Sequence, residues 1–145
     1  MKNWIDVENN ETLKFADRTV VINEISSEVE SLGYKYIKNT FDFTSIPADY
    51  NDSIWEIKDF FDLNGATVTL PENVTLKFNG GKFSNGTIVG NKTKIQAGLD
   101  LVMDDTVTLS GTFELPEVYP EWFGAKRDGV VDCTTAIQTA INLRQ

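Results

Sequence analysis

Histidine is absent from the 145-residue chain, and cysteine occurs once, at Cys133. Without histidine, neither a Ser-His-Asp nor a Cys-His triad can be assembled within these residues. The commonest general acid/base and metal ligand is missing as well. A single cysteine also excludes a disulfide within the chain. The sequence therefore predicts no catalytic residue, no cofactor site and no metal site.

Long apolar runs and basic clusters are also missing. No stretch approaches the roughly 18 apolar residues of a membrane span, and the opening residues MKNWIDVENNETLKF lack the apolar centre of a signal peptide. Asp and Glu number 22 against 13 Lys and Arg, which gives a formal net charge of −9. Binding to a phosphate backbone needs a high density of Lys and Arg. We therefore expect neither a nucleic-acid partner nor a membrane partner.

The stretch from Asp62 to Gly98 contains short apolar runs separated by Asn and Gly. Such alternation, broken by turn residues, is typical of strands rather than helices. Between residues 66 and 115 it predicts eight short strands: VTL, VTLKF, KF, TIV, TKI, LDLVM, TVTLSG and TFEL. The predicted fold class is mainly β, with short parallel strands in a β-solenoid-like body or a sandwich, and the pattern leaves these two open.

Other segments predict further strands and two helices. Residues 13–22 and 34–43 read as extended. Ser53 and Glu56 form the pattern of a helix capping box, which is compatible with a helix over IWEIKDFF at 54–61. The β-branched and aromatic residues there favour a strand with Trp55 and Ile57 on one face. A short helix is predicted near 24–32, and a second over 133–145 with Asp132 as its N-cap. The apolar face of the second helix would hold Ile137, Ala140 and Ile141. We expect further chain or a partner to cover that face.

Five groups of residues are candidate sites. For the paired carboxylates Asp128 and Asp132, turn formation and helix capping are favoured over acid/base chemistry or cation binding. Asp104 and Asp105 have no third ligand at a useful spacing, so a metal site there is not favoured. Cys133 is expected to be a structural thiol, and Gly80-Gly81 lacks the Lys-Ser/Thr of a phosphate loop. The last group consists of aromatics, for which packing is favoured over sugar stacking: Trp55, Phe60, Phe61, Trp122 and Phe123.

Residues 122–138, WFGAKRDGVVDCTTAIQ, resemble the opening motif of the pectate-lyase-like right-handed β-helix family, W-F-G-A-K-G-D-G-x-x-D-D-T-x-A-I-Q. The chain departs from the motif at Arg127, where the family usually has Gly, and at Cys133, where it usually has Asp. In that family the motif forms the N-terminal cap of the solenoid. The family's catalytic carboxylates lie on later coils, so the resemblance assigns no catalytic residue to this chain.

Earlier segments resemble the N-terminal regions of tail fibre and tailspike proteins from gut-bacterial phages, including the crAss-like group, and of related prophage-borne proteins. These segments are LKFADR at 13–18, FDLNGATVTLP at 61–71, FNGG at 78–81 and SNGTIVG at 84–90. The resemblance implies a homotrimer located in the virion tail. Its partners would be tail or baseplate proteins, and its distal part would contact bacterial surface glycan.

The predicted domain order follows from these patterns. Residues 1–22 form a docking segment, 23–115 a β-rich body, 116–121 a proline-containing linker, and 122–145 the start of a β-helix whose chain continues. Two interpretations of the docking segment stay open: Trp4 and Ile5 form an exposed docking peptide, or they belong to a terminal strand packed on its own domain. Two alternatives remain: the start of a β-helix polysaccharide lyase or glycoside hydrolase, and a carbohydrate-binding module. The residues predicted to dock onto the tail are Trp4, Ile5, Val7, Phe15 and Arg18.

Overall fold

The structure, a computed structural model, describes residues 33–144. The strand predicted at 13–22, the helix predicted near 24–32 and the predicted docking residues lie outside this range. The described residues form eight strands, two short 3₁₀ helices (Ala48–Tyr50 and Pro120–Phe123) and one helix, α1 (Thr134–Leu143). The strands are β1 (Tyr34–Ile37), β2 (Ile54–Ile57), β3 (Phe60–Asp62), β4 (Thr67–Thr69), β5 (Thr75–Phe78), β6 (Lys82–Ser84), β7 (Gly86–Gln96) and β8 (Val107–Phe113).

Every pairing between these strands is parallel, and the pairings form three faces. The first face contains β1, β2, β5 and the end of β7. The second contains β3 and β6, extended by a bridge from Phe83 to Met103. The third contains β4, the start of β7 and β8. Ile54 pairs with Thr75, and Thr75 with Lys94, so equivalent positions recur about every 20 residues, the repeat of a solenoid. The fold is therefore mainly β and β-solenoid-like, and the sandwich is excluded.

Alternation along each strand decides which side chains enter the solenoid. Trp55 and Ile57 are fully buried, as their predicted common face requires, while Glu56 between them points outward. Stacking then places like residues together, because Trp55 lies beside Leu76 and Leu76 beside Ile95 in register. The core is this inward set, continued on the other faces by Phe61, Leu63, Phe83, Val68, Leu70 and Ile88.

Corners between the faces are made by asparagine and glycine. Asn64, Asn73 and Asn85 hold φ values of 53°, 60° and 54°, a left-handed conformation that Asn tolerates better than most residues. At the corner inside β7, Gly90 pairs with Gly111 of the next coil. A Cβ on Gly111 would overlap the Gly90 carbonyl oxygen, so close stacking here requires two glycines.

The predicted strand boundaries were wrong at several places. TIV and TKI belong to one 11-residue strand, β7, and TVTLSG and the start of TFEL belong to β8. LDLVM forms no strand and contributes only the bridge at Met103. Of residues 34–43, only Tyr34–Ile37 form a strand. The merging has a physical cause: β7 passes the corner at Gly90–Thr93 through an irregularity in register. Only Lys92, with φ at 53°, takes the left-handed conformation there, and the pairing continues on both sides of it.

Residues after β8 pack on the last coil. The Trp122 carbonyl oxygen accepts hydrogen bonds from Val102 N–H and Met103 N–H, both at 3.0 Å. Its indole Nε1–H donates to the Gly98 carbonyl oxygen at 2.6 Å. Val118 and Tyr119, from the segment predicted to be a linker, also pack against the core. The division into domains stays a prediction.

Helix α1 buries only part of its predicted apolar face. Ala136 and Ala140 are buried, whereas Ile137 and Ile141 are 45% and 52% exposed. The helix packs against the Pro120–Phe123 turn. Small alanines allow the helix backbone to approach the bulky side chains of that turn. The exposed Ile137 and Ile141 are the residues that we expect further chain or a partner to cover. Cys133, rather than Asp132, directly precedes the helix, but Asp132 Oδ1 still accepts from Thr134 N–H at 2.9 Å.

Candidate functional site

A groove opens at the corner between the first and second faces, with a volume of about 440 Å³. Its walls come from the start of β3, the end of β5, the start of β6, and the loop that follows β7. The lining residues are Phe60, Phe78, Gly80, Gly81, Lys82, Ala97, Gly98, Asp100, Leu101 and Val102. Concave sites that combine apolar walls with a few charged groups are typical of ligand-binding sites.

Phe60 is the most exposed aromatic ring at this groove, with 72% of its surface accessible. It points outward because Phe61, the next residue on β3, takes the inward position. Lys82 is its register partner on β6, and the Lys82 Nζ lies 5.2 Å from the centre of the Phe60 ring. The two residues therefore present an aromatic ring and a positive charge together.

A second wall of the groove packs closely on the core and on the preceding coil. Phe78 is half-buried, and its ring packs edge-on against the core residue Phe83, with ring centres 5.8 Å apart. A Cβ at Gly81 would lie 2.6 Å from the Asp59 carbonyl oxygen and 2.7 Å from that of Ile57. Only glycine allows this approach, which draws the turn between β5 and β6 onto the preceding coil. The groove is therefore shaped by the backbone as well as by side chains.

The third wall is the loop after β7, which carries Asp100 and Leu101. Trp122 fixes this loop through its hydrogen bond to Gly98. Asp100 places a negative charge in the same groove as the positive charge of Lys82. An exposed ring with one donor cation and one acceptor carboxylate suits a ligand that has both a flat apolar face and polar substituents.

A second polar cluster lies on the outer side of the first face, around Glu56. Its Oε1 accepts from Asn79 Nδ2 at 3.2 Å, and its Oε2 lies 3.6 Å from Lys58 Nζ. Desolvation raises the pKa of Glu56, but the interactions with Asn79, Tyr34 and Lys58 outweigh it, so the pKa is lowered overall. Desolvation and the same carboxylate raise the pKa of Tyr34. The cluster joins strands of adjacent coils.

The carboxylates singled out in the sequence serve turns. Asp104 Oδ1 accepts from Thr106 N–H at 3.0 Å and from the Thr106 hydroxyl. Asp128 Oδ1 accepts from Val130 N–H at 2.9 Å and Val131 N–H at 3.0 Å, and these backbone bonds lower the pKa of Asp128. Within residues 33–144, no group of three or more His, Cys, Asp or Glu side chains could hold a metal ion.

Cys133 fastens the loop that precedes α1. Its Sγ accepts from Lys126 N–H at 3.2 Å and lies 3.3 Å from the Val131 carbonyl oxygen. These contacts tie the two ends of the segment between Lys126 and Cys133 together. They agree with the prediction of a structural thiol at this position.

The five candidate aromatics divide into two groups. Trp55, Phe61, Trp122 and Phe123 are buried, so packing was the correct prediction for them. Phe60 is the exception. The sequence does contain a signal for the Phe60–Lys82 pair, because aligning FFD at 60–62 with KFS at 82–84 places Phe60 beside Lys82. That alignment can be made only when the length of the coil repeat is known. The predicted docking residues Trp4, Ile5, Val7, Phe15 and Arg18 lie outside the described range.

No protein-family model, curated protein or solved structure matches this chain. The described residues define a β-solenoid-like scaffold with one helix after its last coil and a groove along one corner. No helix among them is both long enough and apolar enough to cross a membrane.

Proposed function

We propose that this chain is a virion structural module, the N-terminal anchoring part of a trimeric phage tail fibre or tailspike. The observation that carries the proposal is the order of elements along the chain. Parallel coils lead directly into the Trp122–Gln138 segment, which packs on the last coil and resembles the cap of a β-helix. A scaffold of this order suits a spacer between a particle and a distal domain.

The proposed mechanism is mechanical. Hydrogen bonds between coils run along the solenoid axis, and each coil adds about 4.8 Å of length. Buried side chains from successive coils interlock inside, since Trp55, Leu76 and Ile95 lie in register. Such a body resists bending and transmits load from the distal receptor-binding or glycan-degrading region to the tail. Residues 1–22 would contact a tail or baseplate protein, and two further copies of the chain would complete the trimer.

Three measurements test this proposal. Light scattering after size-exclusion chromatography should give three chain masses, and a strictly monomeric chain would count against the trimer. Electron microscopy of particles carrying labelled protein should place residues 1–22 at the tail. Replacing Trp4 and Ile5 by alanine should abolish incorporation into particles. Val130, which is 86% exposed, provides the matched control, because its replacement by alanine removes an apolar side chain outside the docking segment.

The groove at Phe60 favours a second candidate, a carbohydrate-binding module. A sugar ring could stack on Phe60 while Lys82 and Asp100 bind its substituents. Calorimetric titration with bacterial surface oligosaccharides should show saturable binding that Phe60→Ala abolishes. Tyr36→Ala is the matched control, because Tyr36 is also exposed but does not line the groove. Absence of binding to the unaltered chain, or equal loss in both variants, would reject this function.

A further inference from the structure

The chain contains three Asn-Gly pairs, at 64–65, 79–80 and 85–86. Asn-Gly is the dipeptide most prone to spontaneous deamidation, because glycine places no Cβ in the way of its own nitrogen. In this reaction the glycine nitrogen attacks the Asn side-chain carbonyl carbon. A folded protein slows the reaction wherever the glycine N–H is held in a hydrogen bond or the backbone cannot rotate.

Two of the pairs are held by the stacking of the coils. Gly65 N–H donates to the Asn85 carbonyl oxygen at 2.8 Å, and Gly86 N–H donates to the Thr106 carbonyl oxygen at 3.2 Å. The preceding residues, Asn64 and Asn85, are fixed in the left-handed conformation, with φ values of 53° and 54°. At Gly86 a side chain would also overlap Leu63, so this nitrogen lies in a tightly packed corner. Attack at either pair requires the corner to open first.

The third pair lacks these restraints. Gly80 N–H donates to no acceptor among residues 33–144, although its neighbours Asn79 and Gly81 both donate to the Ile57 carbonyl oxygen. Asn79 and Gly80 are exposed, and no atom lies within 4 Å of where a Cβ of Gly80 would stand. The Asn79 side chain is held by one exposed hydrogen bond of 3.2 Å, to Glu56. Because no hydrogen bond between coils holds the Gly80 N–H, the backbone at Gly80 can rearrange without breaking one.

We infer that Asn79 is a selective site of spontaneous deamidation in the folded chain. The Gly80 nitrogen loses its proton and bonds to Asn79 Cγ. The Cγ–Nδ2 bond breaks, and ammonia leaves with the proton, which closes a five-membered succinimide. Water then adds to one of the two ring carbonyls and opens a C–N bond, giving aspartate or isoaspartate. Water is the only co-reactant, and no group is oxidised or reduced.

The modification changes the cluster around Glu56. Asn79 Nδ2 is a donor to Glu56 Oε1, and the product carries a carboxylate in its place. Two carboxylates then face each other where a hydrogen bond linked adjacent coils. Isoaspartate also adds one backbone atom between β5 and β6. Deamidation therefore weakens the solenoid at one defined corner and leaves the corners at Asn64 and Asn85 intact.

Peptide mapping by mass spectrometry tests the inference. The full chain is incubated in isotopically heavy water at mildly alkaline pH, folded in one arm and unfolded in urea in the other. For each pair, the folded rate is divided by the unfolded rate. We expect this ratio to be about tenfold or more higher at Asn79 than at Asn64 and Asn85, since those two sites require local opening. Equal ratios at the three sites would overturn the inference.

Three variants test the deamidation of Asn79 separately from its effect on stability. Asn79→Gln should eliminate product at position 79 and leave the rates at Asn64 and Asn85 unchanged; persistent charge heterogeneity at the same rate would contradict the assignment. Asn79→Asp should lower the midpoint of urea unfolding, and adding Glu56→Gln should restore part of the loss. If Glu56→Gln restores nothing, the proposed effect on the Glu56 cluster is wrong.

Discussion

The Asn73 side-chain amide donates to the Asp52 carboxylate at 2.9 Å, although the two residues belong to different coils. Both hold the left-handed backbone conformation, with φ values of 60° and 49°. Lys94 Nζ continues the contact by donating to Asn73 Oδ1 at 2.6 Å. The Asn73 side chain thus links three successive coils. Asn73 both adopts the left-handed conformation that the turn needs and supplies the hydrogen bonds between the coils.

Asn73→Ala should lower the free energy of unfolding more than Asn73→Gly. Glycine loses the side-chain hydrogen bonds but adopts positive φ freely, whereas alanine also pays about 1 kcal/mol or more for the left-handed conformation. Urea unfolding followed by far-UV circular dichroism measures both variants. Equal losses would show that the hydrogen bonds, rather than the backbone conformation, account for the choice of Asn here.

Gly111→Ala should prevent the last coil from stacking. A Cβ there would overlap the Gly90 carbonyl oxygen and approach Val89, in addition to the cost of φ at +82°. Gly65→Ala is the matched control, because φ is +75° but no atom lies within 4 Å of the new Cβ. Gly65→Ala should lower the free energy of unfolding by about 1–2 kcal/mol, which is the effect of the left-handed conformation alone. Gly111→Ala should lower it clearly more. Similar midpoints of thermal unfolding would reject the steric account.

Glu56 should make stability depend on pH in the acidic range. Its pKa is lowered in the folded chain, so its contribution is fully present above the ordinary glutamate pKa. The contribution is lost as the pH falls from that value through the folded-state pKa. Urea unfolding as a function of pH should therefore show that the stability difference between the wild-type chain and Glu56→Gln shrinks on acidification. A difference that grows as the pH falls would contradict the sign of the shift.

Trp122 should contribute to the last coil mainly through its buried ring. Trp122→Ala is expected to cost about 3–5 kcal/mol, as for other large-to-small changes in a core. Trp122→Phe keeps an aromatic ring but loses the hydrogen bond to the Gly98 carbonyl oxygen, which can bind water instead. The free energy of unfolding should therefore fall by about 1 kcal/mol, in addition to any cost of repacking. Tyr119→Phe, which removes only the exposed bond to Glu117, should be nearly neutral in urea unfolding.

The strand character and the inward residues were predictable because they depend on local alternation. Trp55 and Ile57 were placed correctly on one face, although Ser53 and Glu56 form the pattern of a helix capping box. Ser53 is buried instead, and its hydroxyl accepts from Trp55 Nε1 at 2.8 Å. Packing inside the solenoid therefore overrode the local helix signal.

Features that depend on neighbouring coils were not predictable in the same way. Apolar periodicity grouped Ile137, Ala140 and Ile141 on one face, but it could not show that Ala136 and Ala140 are the residues that contact the Pro120–Phe123 turn. The groove was missed for a related reason. Phe60, Lys82 and Asp100 are distant in sequence, and only the register of the coils brings them together.

Strand β7 passes from the third face to the first. It pairs with β4 before the corner, with β5 after it, and with β8 on both sides of the irregularity. Solenoid coils can in principle melt one after another from an end, as nearly independent units. Here a single strand belongs to two faces, so neither can separate while β7 stays ordered. Amide hydrogen exchange should therefore be cooperative, with β4, β5, β7 and β8 becoming exposed together in one opening event.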